Sequence, residues 1–411
     1  MNRSLKILYT NFSGTIIGAY DKQAGRILGW ARTNNNVFIL APQLDSEIIK
    51  KEILDKQKSG IKTISLPFTK KETSSNLGII LSFSLRTLIS PLILFKKLPI
   101  FDFAINNSPF FVDIVPILWL KFFGRCDFWI ALIDNIIPKP NNRLGNRFIN
   151  TIVYLEWRTA VFLAHHFATA VFTINPEVKN ELMKLGIPGS KIHFSQCGLL
   201  LDKIIGRKTN KKLYDACYLG RITKNKGIFD LIQVWKEIVR VKPLAKLAVI
   251  GPGISSTLEE FKKKIREVNL GENIIYFGFV SSEKKYEILS SSKLFIFLSK
   301  VDAEEAWAIS LMEALACGLP ALTYNLKIYK HIYGDGILQK SKIGDINSVI
   351  QKTLFFLNNK KERDILSKKG MSFARQFDWF KIAEEDLKKI RKIILNDLKS
   401  KRKLGLIEEI A

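Results

Sequence analysis

The chain has 411 residues, 47% of them hydrophobic and 25% charged, with a formal net charge of +26 at pH 7. This length exceeds a single ordinary core, and the composition is globular, so we expect two folded domains rather than a disordered chain. Four scattered cysteines, with no Cys-x-x-Cys pair, predict a reduced cytoplasmic protein without structural zinc.

The positive charge requires an anionic partner, which is a nucleic acid, an anionic membrane surface or a charged substrate. Lysine clusters occur at Lys50–Lys51, Lys70–Lys71, Lys96–Lys97, Lys262–Lys264 and Lys399–Lys403. None is interleaved with aromatic residues, and no nucleic-acid motif accompanies them. We therefore do not expect a nucleic-acid partner.

The first half of the chain alternates short apolar runs with helical patterns. The N-terminal apolar run is too short for a signal peptide and predicts a strand instead. Predicted strands are Leu5–Thr10, Asn36–Ala41, Ile61–Leu66, Phe101–Ile105, Phe128–Ile133, Ala170–Ile174 and Lys191–Ser195. Predicted helices are Ala19–Thr33, Glu47–Lys58, Phe110–Phe123, Asn141–Ala168 and one that begins after Asn175. This alternation is typical of a doubly wound parallel sheet.

The most apolar segment, Leu77–Phe95, is near bilayer length but contains Arg86 and Pro91. We do not predict a membrane span. Lys96 and Lys97 follow the segment, and an apolar patch with a basic end is suited to rest on an anionic leaflet. The alternative is a core helix whose terminal lysines reach into solvent. The first interpretation places the protein in the cytoplasm, peripherally on the inner face of the membrane.

The second half repeats the alternation after a polar, cation-rich linker at Asp202–Lys212. Predicted strands are Tyr214–Leu219, Leu247–Ile250, Ile274–Phe277, Leu294–Leu298 and Ala321–Tyr324. Predicted helices are Ile228–Val239, Leu258–Val268, Glu283–Leu289, one from Ile309 or Ser310, Ile346–Leu357 and Trp379–Leu398. We predict domains at residues 1–205 and 206–378, with a terminal helix and basic tail at 379–411.

Two carboxylates mark the stretch from Leu294 to Pro320. A buried strand is followed by a polar loop and a short helix, with Glu305 in the loop and Glu313 in the helix. Ligands of open α/β sheets bind beyond the carboxyl ends of the strands, where carboxylates accept hydrogen bonds from sugar hydroxyls and helix starts attract anions. Structurally, a first-turn glutamate and a solvated loop glutamate are equally consistent with the spacing.

A second candidate site is the loop Gly220–Gly227, between a predicted strand and a predicted helix. Arg221 offers a planar fork for phosphate oxygens, and Lys226 offers a compact charge. Gly18, in the loop after the first strand, would let backbone amides approach phosphate or sugar. Asp134, at the carboxyl end of a strand, would orient a substrate hydroxyl or cap the next turn.

The run Glu305-Ala306-Trp307-Ala308, with Glu313-Ala314-Leu315-Ala316-Cys317-Gly318-Leu319-Pro320 after it, closely resembles the E-x7-E signature of the group 1 glycosyltransferases, the retaining family 4 enzymes with a GT-B fold. Alanine replaces the usual glycine at 306 and 308. The Gly-Arg…Lys-Gly run at 220–227 resembles the diphosphate-binding loop of that family. Where the family often has His-Asp, this chain has Ile133-Asp134.

The resemblance implies two Rossmann-like doubly wound domains facing a central cleft, with a C-terminal helix that crosses back to the first domain. It implies that Arg221 and Lys226 bind the diphosphate of a nucleotide-sugar donor and that Glu313 holds the ribose. Glu305 would hold the donor sugar and, with Asp134, would be catalytic, and the donor site would also include Gly18, Ala306, Trp307, Ala308 and Ile309.

The implied reaction is transfer of a sugar, with retention of configuration, to an acceptor hydroxyl. The positive charge and the apolar, lysine-flanked segment suggest that the acceptor is a glycan or lipid-linked precursor. It needs no obligatory metal and no cofactor. Two alternatives are a nucleotide-sugar epimerase or hydrolase on the same fold and a non-catalytic scaffold that binds polyanions or membranes. The nucleotide base, the sugar and the acceptor have no signature in the sequence.

Overall fold

A computed structural model describes residues 4–13, 20–43, 60–67, 76–143, 146–205, 211–253, 255–302, 305 and 307–403. The chain divides into two compact units. The first combines Met1–Gly198 with Trp379–Ala411, and the second is Leu199–Asp378. Each unit is a parallel sheet with helices between its strands, so the predicted class of two doubly wound α/β domains is confirmed.

The sheet of the first unit has seven strands in the order β3-β2-β1-β4-β5-β6-β7. The strands are β1 (Lys6–Thr10), β2 (Asn36–Leu40), β3 (Ile61–Ile64), β4 (Phe103–Asn106), β5 (Trp129–Leu132), β6 (Ala170–Thr173) and β7 (Ile192–Phe194). The helices described in this unit are α1 (Tyr20–Arg32), α2 (Asn76–Ile89), α3 (Phe111–Phe122), α4 (Arg147–Phe167) and α5 (Pro176–Lys184). A 3-10 helix, Ser90–Phe95, continues α2.

The sheet of the second unit has six strands in the order β10-β9-β8-β11-β12-β13. The strands are β8 (Tyr214–Leu219), β9 (Leu247–Ile250), β10 (Ile274–Gly278), β11 (Ser292–Phe297), β12 (Ala321–Tyr324) and β13 (Leu338–Ser341). The described helices are α6 (Leu201–Ile205), α7 (Ile228–Val241), α8 (Ser255–Glu267), α9 (Ser282–Ser290), α10 (Ile309–Ala316), α11 (Tyr329–Ile332), α12 (Ile346–Asn358) and α13 (Lys360–Ala374).

Both faces of the first sheet are covered. Along β1, Ile7 and Tyr9 belong to one apolar core and Leu8 belongs to the other, because successive side chains of a strand point to opposite faces. A strand buried on both sides needs apolar residues at every position, which explains the continuous apolar runs in the sequence.

The last helix, α14 (Trp379–Lys403), packs on α1 in the first unit. Its residue Ala383 lies in the same core as Ile7, and the indole N–H of Trp30 donates to the Ala383 carbonyl at 3.1 Å. The predicted return of the C-terminal helix to the first domain is therefore confirmed.

Most predicted elements are present within a few residues, with three differences. The predicted helix Glu47–Lys58 lies outside the described residues. The strand β13 and the helices α11 and α13 were not predicted, because three of the four residues of β13 are polar, α11 has four residues, and seven of the fifteen residues of α13 are charged. The predicted linker at Asp202–Lys212 begins with the short helix α6.

Candidate functional site

Two loops of the second unit meet at the carboxyl edge of its sheet. The strands β8 and β11 are neighbours, so the loops that follow them lie side by side. The Lys300 amide donates to the Asn225 carbonyl at 2.9 Å, and the Lys300 ammonium lies 2.7 Å from the Asp230 carboxylate of α7. These bonds hold the two predicted motifs together.

Glycine is required where the loops approach most closely. Gly227 has φ +68°, and a Cβ at this position would lie 2.0 Å from the carbonyl oxygen of Leu298. A side chain would therefore meet backbone as well as an unfavourable conformation. The glycine of the Lys-Gly pair thus allows the first loop to pack against the end of β11.

A buried ion pair joins the two motifs. The Lys226 ammonium donates to Oε1 of Glu305, and 6% of Lys226 and 3% of Glu305 are exposed. The Lys226 ammonium also lies 5.8 Å from the centre of the Phe297 ring. The structure therefore brings together the two residues that the sequence assigned to the diphosphate and to the donor sugar.

Two buried tyrosines adjoin this pair. Burial, and then the negative charge of Glu305, raise the pKa of Tyr329 and of Tyr333, so both stay protonated. The hydroxyl of Tyr333 donates to the Ala308 carbonyl at 3.4 Å. Neither tyrosine was predicted, because both come from a part of the chain with no recognisable motif.

Glu313 is buried and is held by two residues of α9. The Lys285 ammonium lies 2.6 Å from its Oε1 oxygen, and the Tyr286 hydroxyl donates to the same oxygen at 2.9 Å. The sequence analysis missed both residues. Because β10 and β11 are not neighbours in the sheet, no local signal places α9 against α10.

Two helix starts face these loops without side-chain caps. The N-cap residues are Gly227 for α7 and Ala308 for α10, and neither has a side-chain hydrogen bond to the helix. The first amides of a helix have no partner within that helix and attract anions. Ile309 is the first residue of α10 and is half-buried.

The other residues predicted for the donor site differ in their exposure, and two of them lie outside the described residues. Arg221 is exposed on the loop after β8. The Trp307 ring is half-buried and packs edge-on against Phe377 at 5.3 Å between ring centres. Ala306 and Gly18 lie outside the described residues.

Asp134 belongs to the first unit, where it follows β5 and is buried. Burial lowers the pKa of Arg26, but the charges of Asp386 and, less strongly, Asp134 outweigh it, and the net shift is upward. Asp134 therefore interacts electrostatically with the buried guanidinium of Arg26, which the sequence analysis did not predict.

Another buried carboxylate of the first unit holds the loop after β1. Asp113 accepts the backbone N–H groups of Phe12 at 2.6 Å and Ser13 at 2.9 Å, and also accepts the Ser108 hydroxyl at 2.5 Å. Burial raises the pKa of Asp113 to about 6 against the effect of these hydrogen bonds. The carboxylate fixes the last described residues before the loop that contains Gly18.

Within the described residues, no three His, Cys, Asp or Glu side chains are grouped as metal ligands. Lysine and glutamate side chains form two ion pairs at the candidate site, Lys226 with Glu305 and Lys285 with Glu313.

Solved structures with the same fold identify the architecture. The structure resembles Anabaena HepE in complex with UDP and glucose, with a TM-score of 0.71 and 14% identity over 94% of this chain and 99% of that chain. It also resembles WaaG, a glycosyltransferase involved in lipopolysaccharide biosynthesis, with a TM-score of 0.66 and 14% identity over 92% and 98% of the two chains. The fold is that of the GT-B glycosyltransferases.

Residues 202–373 match the family model described as glycosyl transferases group 1. This range covers both motifs of the candidate site. The match covers most of the second unit, and the family resemblance found in the sequence is confirmed.

Two curated relatives are similar over part of their length. One is the N-acetylgalactosamine-N,N'-diacetylbacillosaminyl-diphospho-undecaprenol 4-alpha-N-acetylgalactosaminyltransferase of Campylobacter jejuni, 29% identical over 60% of this chain and 64% of that protein. The other is the lipopolysaccharide 1,2-N-acetylglucosaminetransferase of Salmonella typhimurium, 28% identical over 41% and 45% of the two chains. The chain thus spans between about half and two thirds of these relatives.

Proposed function

We propose that the protein is a retaining glycosyltransferase that moves a hexose-type sugar from a nucleotide-sugar to an acceptor hydroxyl. The observation that carries the proposal is the buried pair of Lys226 and Glu305 between two uncapped helix starts. A cation and a carboxylate in contact are suited to a donor that presents a diphosphate beside sugar hydroxyls.

The leaving group of a nucleotide-sugar is a diphosphate, so negative charge develops as the bond from the anomeric carbon to oxygen breaks. Lys226, Arg221 and the first amides of α7 and α10 would stabilise that charge without reorganisation. Positive side chains and helix amides supply what a divalent cation supplies in other transferases, so we propose a metal-independent reaction without a cofactor.

The two glutamates would orient the donor. Lys285 and Tyr286 both bind Oε1 of Glu313. We assign the other carboxylate oxygen, Oε2, to a ribose hydroxyl of the donor. Glu305 would accept from the donor sugar and hold it for attack by the acceptor. Retention, with attack on the leaving-group face, follows from the resemblance of the motif spacing to the retaining family.

The acceptor that we propose is a lipid-linked or cell-surface glycan precursor. The relatives named above act, by their names, on a diphospho-undecaprenol glycan and on lipopolysaccharide. A cytoplasmic enzyme that meets such acceptors works at the inner face of the membrane, and Asp134 of the first unit is our candidate to orient the acceptor hydroxyl.

A thermal-shift screen against UDP-, GDP-, ADP- and CMP-sugars tests the donor site, because a ligand of the folded state raises the melting temperature. We expect one nucleotide class to stabilise the protein, and Glu313→Gln and Lys226→Ala to abolish the shift. Lys224→Ala is the matched control, since Lys224 lies with Lys226 in the short 3-10 helix Lys224–Lys226 but forms an exposed pair with Glu260. If no nucleotide-sugar stabilises the wild type, the proposal is wrong.

The reaction is tested with the donor found in that screen and candidate acceptors. The anomeric configuration of the product, read by NMR, is expected to match that of the donor, and EDTA is expected to leave the rate unchanged. An inverted product or a dependence on divalent metal would contradict the mechanism. Release of free sugar without transfer to any acceptor would make the protein a hydrolase.

A further inference from the structure

The helical segment 78–95 of the first unit exposes an apolar stripe. Its residues are spaced by four, three, four and three positions and are widely exposed: Leu81 (61%), Leu85 (45%), Leu88 (77%), Leu92 (36%) and Phe95 (84%). This spacing places them along one side of the segment. Among the described residues, Gly78–Phe95 is the one helical stretch whose length and composition suffice to cross a membrane, and 17% of it is buried.

The opposite side of the segment is fastened to the fold. The buried Arg86 guanidinium donates to the carbonyls of Phe12 at 3.0 Å and Ser13 at 3.3 Å. At the other end, the Arg125 guanidinium donates to the Leu94 carbonyl at 3.1 Å. A helix that left the fold to span a bilayer would lose these bonds and carry Arg86 into hydrocarbon. The attachment therefore favours a helix that lies on a surface, with its stripe facing outwards.

The C-terminal end of the stripe is basic and aromatic. Lys96 and Lys97 are exposed directly after Phe95. Phe122 (81% exposed) ends α3 and Phe123 (55% exposed) follows it, shortly before Arg125, whose guanidinium contacts the end of the segment. Aromatic and cationic residues at the edge of an apolar face are typical of segments that bind at a membrane interface.

A cavity of about 440 Å³ opens at the same end. Three lysines, Lys6, Lys62 and Lys97, line it together with apolar residues that include Phe38 and Leu98. A partly apolar cavity lined by three lysines is suited in composition to a phosphodiester attached to a glycerol backbone. The cavity could therefore bind an anionic lipid headgroup next to the apolar stripe.

We propose that this face, defined by Leu81, Leu85, Leu88, Leu92, Phe95, Lys96 and Lys97, binds the surface of an anionic phospholipid membrane. The charge of the chain decides between the possible occupants. A second copy would also carry +26 and would bring its own lysines against this basic end, whereas an anionic leaflet complements it.

Vesicle co-sedimentation of the full chain tests the proposal without any nucleotide-sugar. We expect binding to phosphatidylcholine vesicles that contain phosphatidylglycerol and weak binding to phosphatidylcholine alone. Leu88→Gln with Phe95→Gln is expected to weaken binding roughly 100-fold, since each buried apolar side chain contributes at least about tenfold. The matched control is Leu244→Gln with Phe355→Gln, two exposed apolar residues of the second unit, which should bind as the wild type does.

The charge contribution is tested separately. Lys96→Gln with Lys97→Gln is expected to weaken binding to anionic vesicles by roughly fivefold per lysine and to leave binding to neutral vesicles unchanged. Lys360→Gln with Lys361→Gln, an exposed adjacent pair in the second unit, is the control. Circular dichroism and the melting temperature verify that each variant is folded.

Three results would overturn the proposal. They are no vesicle binding by the wild type, unchanged binding by the folded Leu88 and Phe95 variant, and a wild-type dimer that this variant dissociates. The last result would identify the face as an interface between copies. Vesicle binding without any nucleotide-sugar shift would refute the proposed function and leave the membrane face standing, so the two failures are distinguishable.

Discussion

The buried pair of Lys226 and Glu305 makes a sharp prediction about stability. Their side chains are 8% and 3% exposed, so little water reaches either charge. Glu305→Gln leaves the ammonium buried against a neutral amide, and removing one partner of a buried pair costs about 3–5 kcal/mol. For a domain of this size, that loss corresponds to a fall of roughly 6–20 °C in melting temperature.

A double-mutant cycle isolates the interaction. Lys226→Met and Glu305→Gln are made singly and together, and the free energy of unfolding is measured by urea denaturation of the transition that reports the second unit. We expect the double variant to be at least as stable as the less stable of the two single variants, because the double variant has neither of the two buried charges. The coupling energy should be at least about 2 kcal/mol.

The chain contains a matched control for this cycle. Lys224, which lies in the same 3-10 helix as Lys226, forms a pair at 3.0 Å with Glu260 of α8, but the two side chains are 63% and 49% exposed. Exposed pairs contribute between zero and about 1 kcal/mol, so the cycle of Lys224→Met and Glu260→Gln should give a coupling energy near the lower end of that range. Equal coupling energies for the two pairs, or a fully stable Glu305→Gln variant, would refute the reasoning from burial.

Three further predictions concern single side chains. Lys285→Gln should raise the dissociation constant of the nucleotide about tenfold or more by calorimetry, since it removes a charge-assisted bond to the proposed ribose-binding glutamate, whereas Lys284→Gln, in an exposed pair, should not. The stability of the Asp113→Asn variant relative to the wild type should increase by about 2.5 kcal/mol from pH 4 to pH 7, measured by urea denaturation. A carboxyl whose pKa rises from 3.8 to about 6 on folding makes the wild-type protein less stable as the pH rises between these two values. A difference in unfolding free energy that does not change with pH would contradict this. Gly227→Ala should destabilise the second unit by at least about 3 kcal/mol in a thermal melt. Gly124→Ala, with a similar φ of +66° and nothing within 4 Å of the new Cβ, should cost about 1 kcal/mol in the first unit, and equal losses would rule out the clash.

The sequence predicted the sheets well because parallel strands buried on both faces are continuous apolar runs, as in β1 and β11. The same reasoning missed β13, where Gln339 and Lys340 interrupt the apolar pattern at the edge of the sheet. It also missed α13, in which seven of the fifteen residues are charged. Patterns of burial therefore predict the elements of the core and miss those at the margin.

Some residues of the candidate site could be predicted from local sequence motifs, and others could not because their contacts are long-range. Glu305, Glu313 and Lys226 were found because each lies in a motif between a strand and a helix. Lys285 and Tyr286 were not found, because their contact with Glu313 joins helices that follow strands on separate parts of the sheet. The spacing of the glutamates identifies the site, but the partners that fix their orientation come from tertiary structure.

The packing of the terminal helix α14 on α1 can be explained only from the tertiary structure of both helices. The Trp379 side chain is fully buried and occupies space left by glycines: a Cβ at Gly25 would lie 2.0 Å from its ring, and one at Gly198 would lie 2.9 Å from its Cα. One turn along α1, a Cβ at Gly29 would meet the Ala383 side chain at 2.4 Å. In the sequence these glycines lower the helical propensity of α1 and have no evident purpose. In the fold they let α14 approach the backbone of α1, so that residues far apart in the chain complete the first unit.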